Sequence, residues 1–204
     1  MGRQAIDLVI REEPIARLAE HASISIAFTV DRVLHVAHRA ADGGFDLSEQ
    51  QLAAPYVKDY DAIAGNHPSQ WARRFDMANW GLLAAHVGSR RAGGALVALR
   101  TAGLDMLEGR DDLAVLWDLR VAPDLRGQGI GAALFAAVEE WARARGSRTL
   151  KVETQNVNVP ACRFYERRGC ALRAAHRFAY PELPHEIQLL WYKDLSRPGP
   201  GAPE

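Results

Sequence analysis

Eleven residues, Val121-Ala-Pro-Asp-Leu-Arg126-Gly-Gln-Gly129-Ile-Gly131, limit what this chain can become more than any others. An alternating apolar run enters them: Leu113, Val115, Trp117, Leu119 and Val121 share one face of a predicted strand, which Pro123 stops. Beyond the glycines, Ile130, Leu134, Val138 and Trp141 trace one stripe of a helix predicted from about Gly127 to Arg145, ended by Gly146. A strand passing through a glycine turn into a helix belongs to a layered α/β architecture. It also builds an anion site. The first N–H groups of a helix lack partners and carry partial positive charge. Glycine, with no Cβ, lets a ligand come close to the backbone. A pyrophosphate suits such a place, and Arg126 adds a cation. The spacing is not that of a P-loop, because no Gly-Lys-Ser/Thr follows. Nor is it the dinucleotide pattern Gly-x-Gly-x-x-Gly with an acidic residue about 20 positions on.

The rest of the chain gives the turn its setting. A short helix is predicted from Glu13 to Ala22, then a strand carrying Ile24, Ile26, Phe28, Val30, Val33 and Val36. From Ala40 to Pro68 no period holds, so an irregular segment with Phe45, Tyr56, Asp59, Tyr60 and Asp61 is expected; long loops of this kind are often functional. Asn66-His-Pro-Ser69 reads as the cap of a short helix reaching Phe75. Leu82–Val87 and Ala95–Leu99 read as a hairpin around Gly88–Gly94. After the long helix come a strand, Leu150–Thr154, and a short helix, Pro160–Arg168, closed by Gly169. Two more strands, Ala171–Phe178 and Glu186–Tyr192, are joined by Pro181-Glu-Leu-Pro184. One domain over residues 1–195 is expected, with Ser196–Glu204, rich in Pro and Gly, as a disordered tail.

Charge and cysteine usage exclude several functions. Lys plus Arg number 25 and Asp plus Glu 25, so no basic excess exists for neutralising phosphates of a nucleic acid or an acidic membrane surface. No stretch approaches the roughly 20 apolar residues of a membrane span. The first residues mix Arg3, Asp7, Arg11, Glu12 and Glu13 with apolar ones, unlike a secretory signal. Cys162 and Cys170 are the only cysteines, too few for a disulfide framework, and a cytoplasmic protein is expected. The seven histidines show no ligand spacing, His185 beside Glu186 included, so no metal is expected.

A second motif lies one strand after the long helix: Glu153-Thr-Gln-Asn-Val-Asn158-Val-Pro-Ala161-Cys-Arg-Phe164-Tyr165-Glu-Arg-Arg-Gly169. It resembles Asn-x-x-Ala-x-x-Phe-Tyr-x-x-x-Gly of the GCN5-related N-acetyltransferase (GNAT) superfamily. Arg126-x-x-Gly129-x-Gly131 resembles the acetyl-CoA signature of the same superfamily. Two motifs in the right order agree across levels, and the resemblance covers about Leu82 to Asp194. Cys170 departs from it, standing where the family usually has Phe; a packing change accounts for that. The resemblance implies a GNAT fold, α/β with a mixed, mostly antiparallel sheet flanked by helices. It implies acetyl-CoA as co-substrate and direct attack by an amine in a ternary complex.

It also implies roles. Coenzyme contacts fall on Leu119 and Val121 through their backbone, on Arg126, Gly127, Gln128, Gly129, Ile130 and Gly131, and on Asn158, Ala161, Phe164 and Tyr165. Tyr165 matches the general acid that protonates the departing sulfur. A phenol with an ordinary pKa of about 10 holds its proton at neutral pH. Asn158 matches the residue that meets the pantetheine arm, and Asn also favours helix N-caps. Glu153, twelve residues before Tyr165, matches the base of relatives resembling ribosomal-protein acetyltransferases; Asp118, Glu186 or a chain of waters are alternatives.

Gly44-Phe-Asp-Leu-Ser48, Pro55-Tyr-Val-Lys-Asp-Tyr60, Glu153–Asn158 and Leu190-Trp-Tyr192 further resemble segments of streptothricin acetyltransferases, which acetylate the β-lysine amine of those antibiotics. That implies a small-molecule amine acceptor, antibiotic resistance, and an acceptor site lined by Phe45 to Asp61, whose carboxylates and phenols suit a cation. A protein or peptide N-terminal acetyltransferase, and a non-catalytic acyl-CoA-binding module, are the competing readings. A monomer or homodimer is expected.

Overall fold

The structure is a computed structural model in which residues 7–196 are described. Residues 197–204 of the expected tail lie outside them. In chain order the elements are β1 (Leu8–Glu13), α1 (Leu18–Ala22), β2 (Phe28–His38), β3 (Phe45–Lys58), α2 (Trp71–Arg74), β4 (Trp80–Val87), β5 (Arg90–Ala98), β6 (Leu113–Val121), α3 (Ile130–Ala144), β7 (Thr149–Gln155), α4 (Val159–Arg167), β8 (Ala171–His176) and β9 (Gln188–Asp194). They fall into two compact units. One comprises the chain up to Ile26 together with Tyr60–Arg148; the other comprises Ala27–Asp59 and the chain from Thr149 onward.

In the first unit, β1 pairs antiparallel with β4, β4 with β5, and β5 with β6. Helix α3 lays Ile130, Leu134, Phe135, Val138, Trp141 and Ala142 against these strands, all buried. The predicted stripe is therefore the packed face. Trp71, Met77, Trp80, Leu82 and Leu96 form an apolar cluster with Trp117 packed on it, and the Trp80 indole N–H donates to Thr101 Oγ1 at 2.9 Å.

Two glycines of β5 leave no room for a side chain. A Cβ on Gly93 would stand 2.8 Å from the Arg120 carbonyl oxygen, and one on Gly94 2.5 Å from His21 Nδ1. These glycines therefore sit inside β5, where the sequence suggests part of a long loop. The real turn is short: Val87 pairs with Arg90 across Gly88, whose φ is +57°. The N-terminus also differs from expectation. Glu13 ends strand β1, and Pro14, which has no N–H, separates it from a 3-10 turn at Ile15–Arg17 leading into α1. Strand β1 pairs only with β4 and has an uneven burial pattern, so its periodicity is faint.

In the second unit, β9 lies between β7 and β8, antiparallel to both. Trp191, Leu189 and Leu150 are fully buried there, and the Trp191 N–H donates to Thr154 Oγ1 at 2.8 Å. The expected irregular segment is corrected: β3 is a long strand paired with β2. Its residues are mostly exposed, so little apolar alternation marks it. Its pairing shifts register between Val30 and Arg32, opposite the stretch that holds Pro55, which cannot donate to a ladder. Strand β2 itself begins at Phe28, after Ile24 and Ile26. Asn156 secures it at mid-length. The Leu34 N–H donates to the Asn156 carbonyl at 2.9 Å, and Asn156 Nδ2 donates to the Leu34 carbonyl at 3.2 Å. Within each unit the strand pairing given above is antiparallel and helices flank it, as the sequence predicts for this α/β class.

Candidate active site

The glycine turn lies in the first unit. After β6 the chain makes a 3-10 turn at Pro123–Leu125, then reaches Gly127 at φ +78° and Gly129 at φ +91°. Both are left-handed conformations that L side chains adopt only with strain. A Cβ added to either would meet no atom within 4 Å, so the face of the turn is open. The first helical bond of α3 runs from Ala133 N–H to the Gly129 carbonyl at 3.0 Å, which leaves the N–H groups of Ile130, Gly131 and Ala132 at the helix end without an intrahelical acceptor. An open face, free helix-end donors and room for close approach fit the diphosphate of a coenzyme. The Arg126 side chain straps the turn: Nε donates to the Val121 carbonyl at 3.1 Å and Nη2 to the Ser25 carbonyl at 2.9 Å. Gln128 Nε2 reaches the Asp124 carbonyl at 3.3 Å. Leu119 and Val121, on the strand before the turn, pair with Ala95 and Gly93.

Asp118, on the same strand, is a poor base. Its carboxylate accepts from Arg120 Nε at 2.8 Å and Nη2 at 2.6 Å, and lies 2.8 Å from His21 Nε2. Arg120 also bridges to Asp61 at 2.9 Å and to the Ile24 carbonyl at 3.0 Å. Burial by itself would lift the Asp118 carboxyl, but Arg120 and His21 outweigh burial and hold it far below the carboxylate range. Such a group keeps its charge and accepts a proton reluctantly. Its place in the first unit is structural.

The second motif lies in the second unit. Asn158 is the N-cap of α4, its Oδ1 accepting from the Ala161 N–H at 3.2 Å, with Pro160 in the first turn. The capping role is therefore present, and Nδ2 is the group left for a ligand. Tyr165 is buried at 7% exposure, its ring edge-on to Phe164 at 5.1 Å between centroids. Arg168 lies over the Phe164 ring at 5.8 Å. Cys162 and Cys170 are free thiols, both buried; burial pushes Cys162 up to about 11, against the pull of its Thr154 hydrogen bond.

Glu153, on β7, is held by residues that the sequence motifs do not single out. Tyr180 O–H donates to Oε1 at 2.5 Å, Gln155 Nε2 to the same oxygen at 3.3 Å, and Gln188 Nε2 to Oε2 at 2.7 Å. Burial, then the Glu153 charge, raises the Tyr180 phenol well above its ordinary value, so it stays a donor. Glu186, the other alternative base, is buried in an ion pair with Lys58. Tyr56 stands near enough to Glu186 that its phenol is raised, by burial first and then by that carboxylate. The Pro55–Tyr60 segment thus brings Tyr56 and Lys58 to an acidic group in its own unit. Tyr180 is 27 residues from Glu153, and no sequence period could have joined them. Among the described residues, no group of three or more His, Cys, Asp and Glu is placed to hold a metal.

In one unit a strand, a glycine turn and a helix head with open donors, and in the other an Asn cap and a buried Tyr on a short helix, are the features expected of a coenzyme A-dependent acyltransferase. The family model described as "Acetyltransferase (GNAT) family" matches residues 50–170, and the chain belongs to that family. The fold is the GNAT fold, acetyl-CoA is the co-substrate, and the reaction is N-acetyl transfer. Among relatives, the chain is 30% identical to a streptothricin acetyltransferase of Streptomyces lavendulae over 84% of this chain and 86% of that one. It is 36% identical to streptothricin acetyltransferase A of Bacillus subtilis (strain 168), over 39% of this chain and 47% of that one, so the match spans about half that relative's length. A nourseothricin acetyltransferase crystal structure superposes with a TM-score of 0.70 at 25% identity, covering 92% of this chain and 98% of the other. A Bacillus anthracis str. Ames protein solved with acetyl coenzyme A gives 0.74 at 22% identity over 92% and 99%, which shows a shared fold.

Proposed function

We propose that this enzyme acetylates a primary amine of a streptothricin-type antibiotic, with Glu153 as base and Tyr165 as acid, and so protects a cell that carries it. The observation that supports the acceptor most is the similarity to streptothricin acetyltransferases, including the relative that matches 84% of the chain. The chemistry of the second unit agrees with it. Glu153 with Tyr180 beside it, and Tyr56 near the Glu186–Lys58 pair, offer a carboxylate and phenols to an ammonium group. A carboxylate has about four lone-pair sites. Three donors occupy Glu153 among the described residues, which leaves about one site for a substrate proton.

When bound, acetyl-CoA supplies an electrophilic thioester. The backbone N–H groups of Gly127 to Gly131 would hold its diphosphate, and the Asn158 amide would meet its pantetheine arm. Glu153 takes the ammonium proton and leaves the amine nucleophilic; Tyr165 keeps its phenolic proton ready for the departing sulfur. Attack is direct, without an acyl-enzyme, and the high thiol pKa of Cys162 agrees with that. One catalytic domain over residues 1–195, acting as a monomer or homodimer in the cytoplasm, completes the reading; the match over residues 50–170 supports it by drawing on both units.

The deciding experiment measures coenzyme A thiol release with nourseothricin, and separately with an N-terminal ribosomal-protein peptide. Release with the antibiotic alone is expected. Release with the peptide alone would overturn the acceptor; release with neither, despite coenzyme binding, would favour a regulatory module.

A further inference from the structure

The second unit contains a cavity of about 790 Å³ that neither the coenzyme residues nor Glu153 fill. Val36 and His38 of β2, Phe45 of β3, His176 of β8, Phe178 just beyond it and Gln188 of β9 are among the residues that line the cavity. Gln188 is also the residue whose amide donates to Glu153 Oε2 at 2.7 Å. One residue therefore belongs to both places, and a molecule filling the cavity reaches the residue that holds the proposed base.

The lining differs in character from the Glu153 surrounding. It contains no carboxylate. Its one guanidinium, Arg177, donates to the Val36 carbonyl at 3.0 Å and gives the wall a positive charge. A cationic amine is drawn to Glu153 and not here. Two phenyl rings and two imidazoles join Gln188 and four aliphatic residues in the rest of the lining. Phe45 stands edge-on to His38 at 5.7 Å, and Phe178 is 94% exposed at the cavity rim. Aromatic faces with a few hydrogen-bonding groups take flat or ring-shaped uncharged ligands, and this volume lies within the roughly 300–1,000 Å³ of small-molecule sites.

We infer that this cavity is a subsite for the non-reacting body of the acceptor, an uncharged ring bearing hydroxyl and amide groups, with Phe178 closing over it while the amine is held at Glu153. The inference rests on the amine-acceptor reading above and adds where the rest of that acceptor lies. Binding energy from a remote, unreactive part of a substrate shows in KM when it is equal in ground and transition states.

The test compares two acceptors, nourseothricin and a β-lysine amide that carries the amine without the ring body, by thiol release. For Phe178→Ala, and separately for His176→Ala, KM for nourseothricin should rise about tenfold with kcat within twofold. The kcat/KM for the β-lysine amide should stay within twofold. The β-lysine amide guards against a local folding defect, which would lower both acceptors together. Unchanged KM for nourseothricin in both variants, or an equal loss with both acceptors, overturns the subsite. Turnover of neither acceptor by the unaltered enzyme would instead remove the amine-acceptor reading, and the subsite with it.

Discussion

A phenol that donates a proton can be disarmed without disturbing its ring. Tyr165→Phe keeps the packing on Phe164 and removes only the hydroxyl. Its kcat should fall about 100-fold, the lower range for general acid catalysis, while the acetyl-CoA dissociation constant measured by calorimetry stays within about twofold. A kcat near that of the parent would end the assignment. Asp118 calls for a different measurement. Its folded pKa is depressed, so the unfolded chain binds this proton first, near the ordinary value of roughly 3.9. The stability it contributes is complete above that pH and drains away as pH falls below it. Asp118→Asn leaves Arg120 half-paired in a buried place and should cost about 3 kcal/mol at pH 7. Urea midpoints at pH 7 and pH 3.5 should also converge for the variant more than for the parent. Parallel losses in the two proteins would show that Asp118 is not the titrating group.

Glycines in two elements serve opposite purposes, and substitution tells them apart. In the turn before α3, Gly127 and Gly129 face open space at positive φ, so Gly129→Ala should cost only about 1 kcal/mol of stability. Coenzyme affinity should fall by tenfold or more, as the turn relaxes from the shape that presents its N–H groups. In β5, Gly93→Ala drives a methyl into the Arg120 carbonyl and should cost about 2 kcal/mol or more, read from thermal unfolding, with a smaller effect on affinity. Equal effects of the two changes on both readouts would merge the roles. The turn was legible in the sequence because its signals are local: an alternating strand, a proline stop, glycines and a helical stripe within about thirty residues of one another. Helix α4 with its Asn158 cap was legible for the same reason. Strand β3 was not, since mostly exposed residues and Pro55 blur its period, and its identity depends on β2 as a partner. The Tyr180 and Gln188 donors to Glu153 were hidden too, because sequence distance says nothing about which side chains a fold returns to one carboxylate.

At the scale of the whole chain, coenzyme binding and folding are linked. A ligand that binds only the folded state at 100 times its dissociation constant stabilises by about 2.7 kcal/mol. For a protein of this size that is a rise in Tm of roughly 5–10 °C. Acetyl-CoA should produce that shift, and Gly129→Ala should blunt it; an unmoved Tm at saturating coenzyme would contradict the site. The balance of 25 basic and 25 acidic residues predicts no shift with DNA at physiological salt. Finally, the guanidinium of Arg126 ties the start of the chain to the coenzyme turn through the carbonyl of Ser25. Replacing Arg126 with Ala would slacken a binding loop that is anchored about a hundred positions upstream, so that variant should lose acetyl-CoA before it loses its fold.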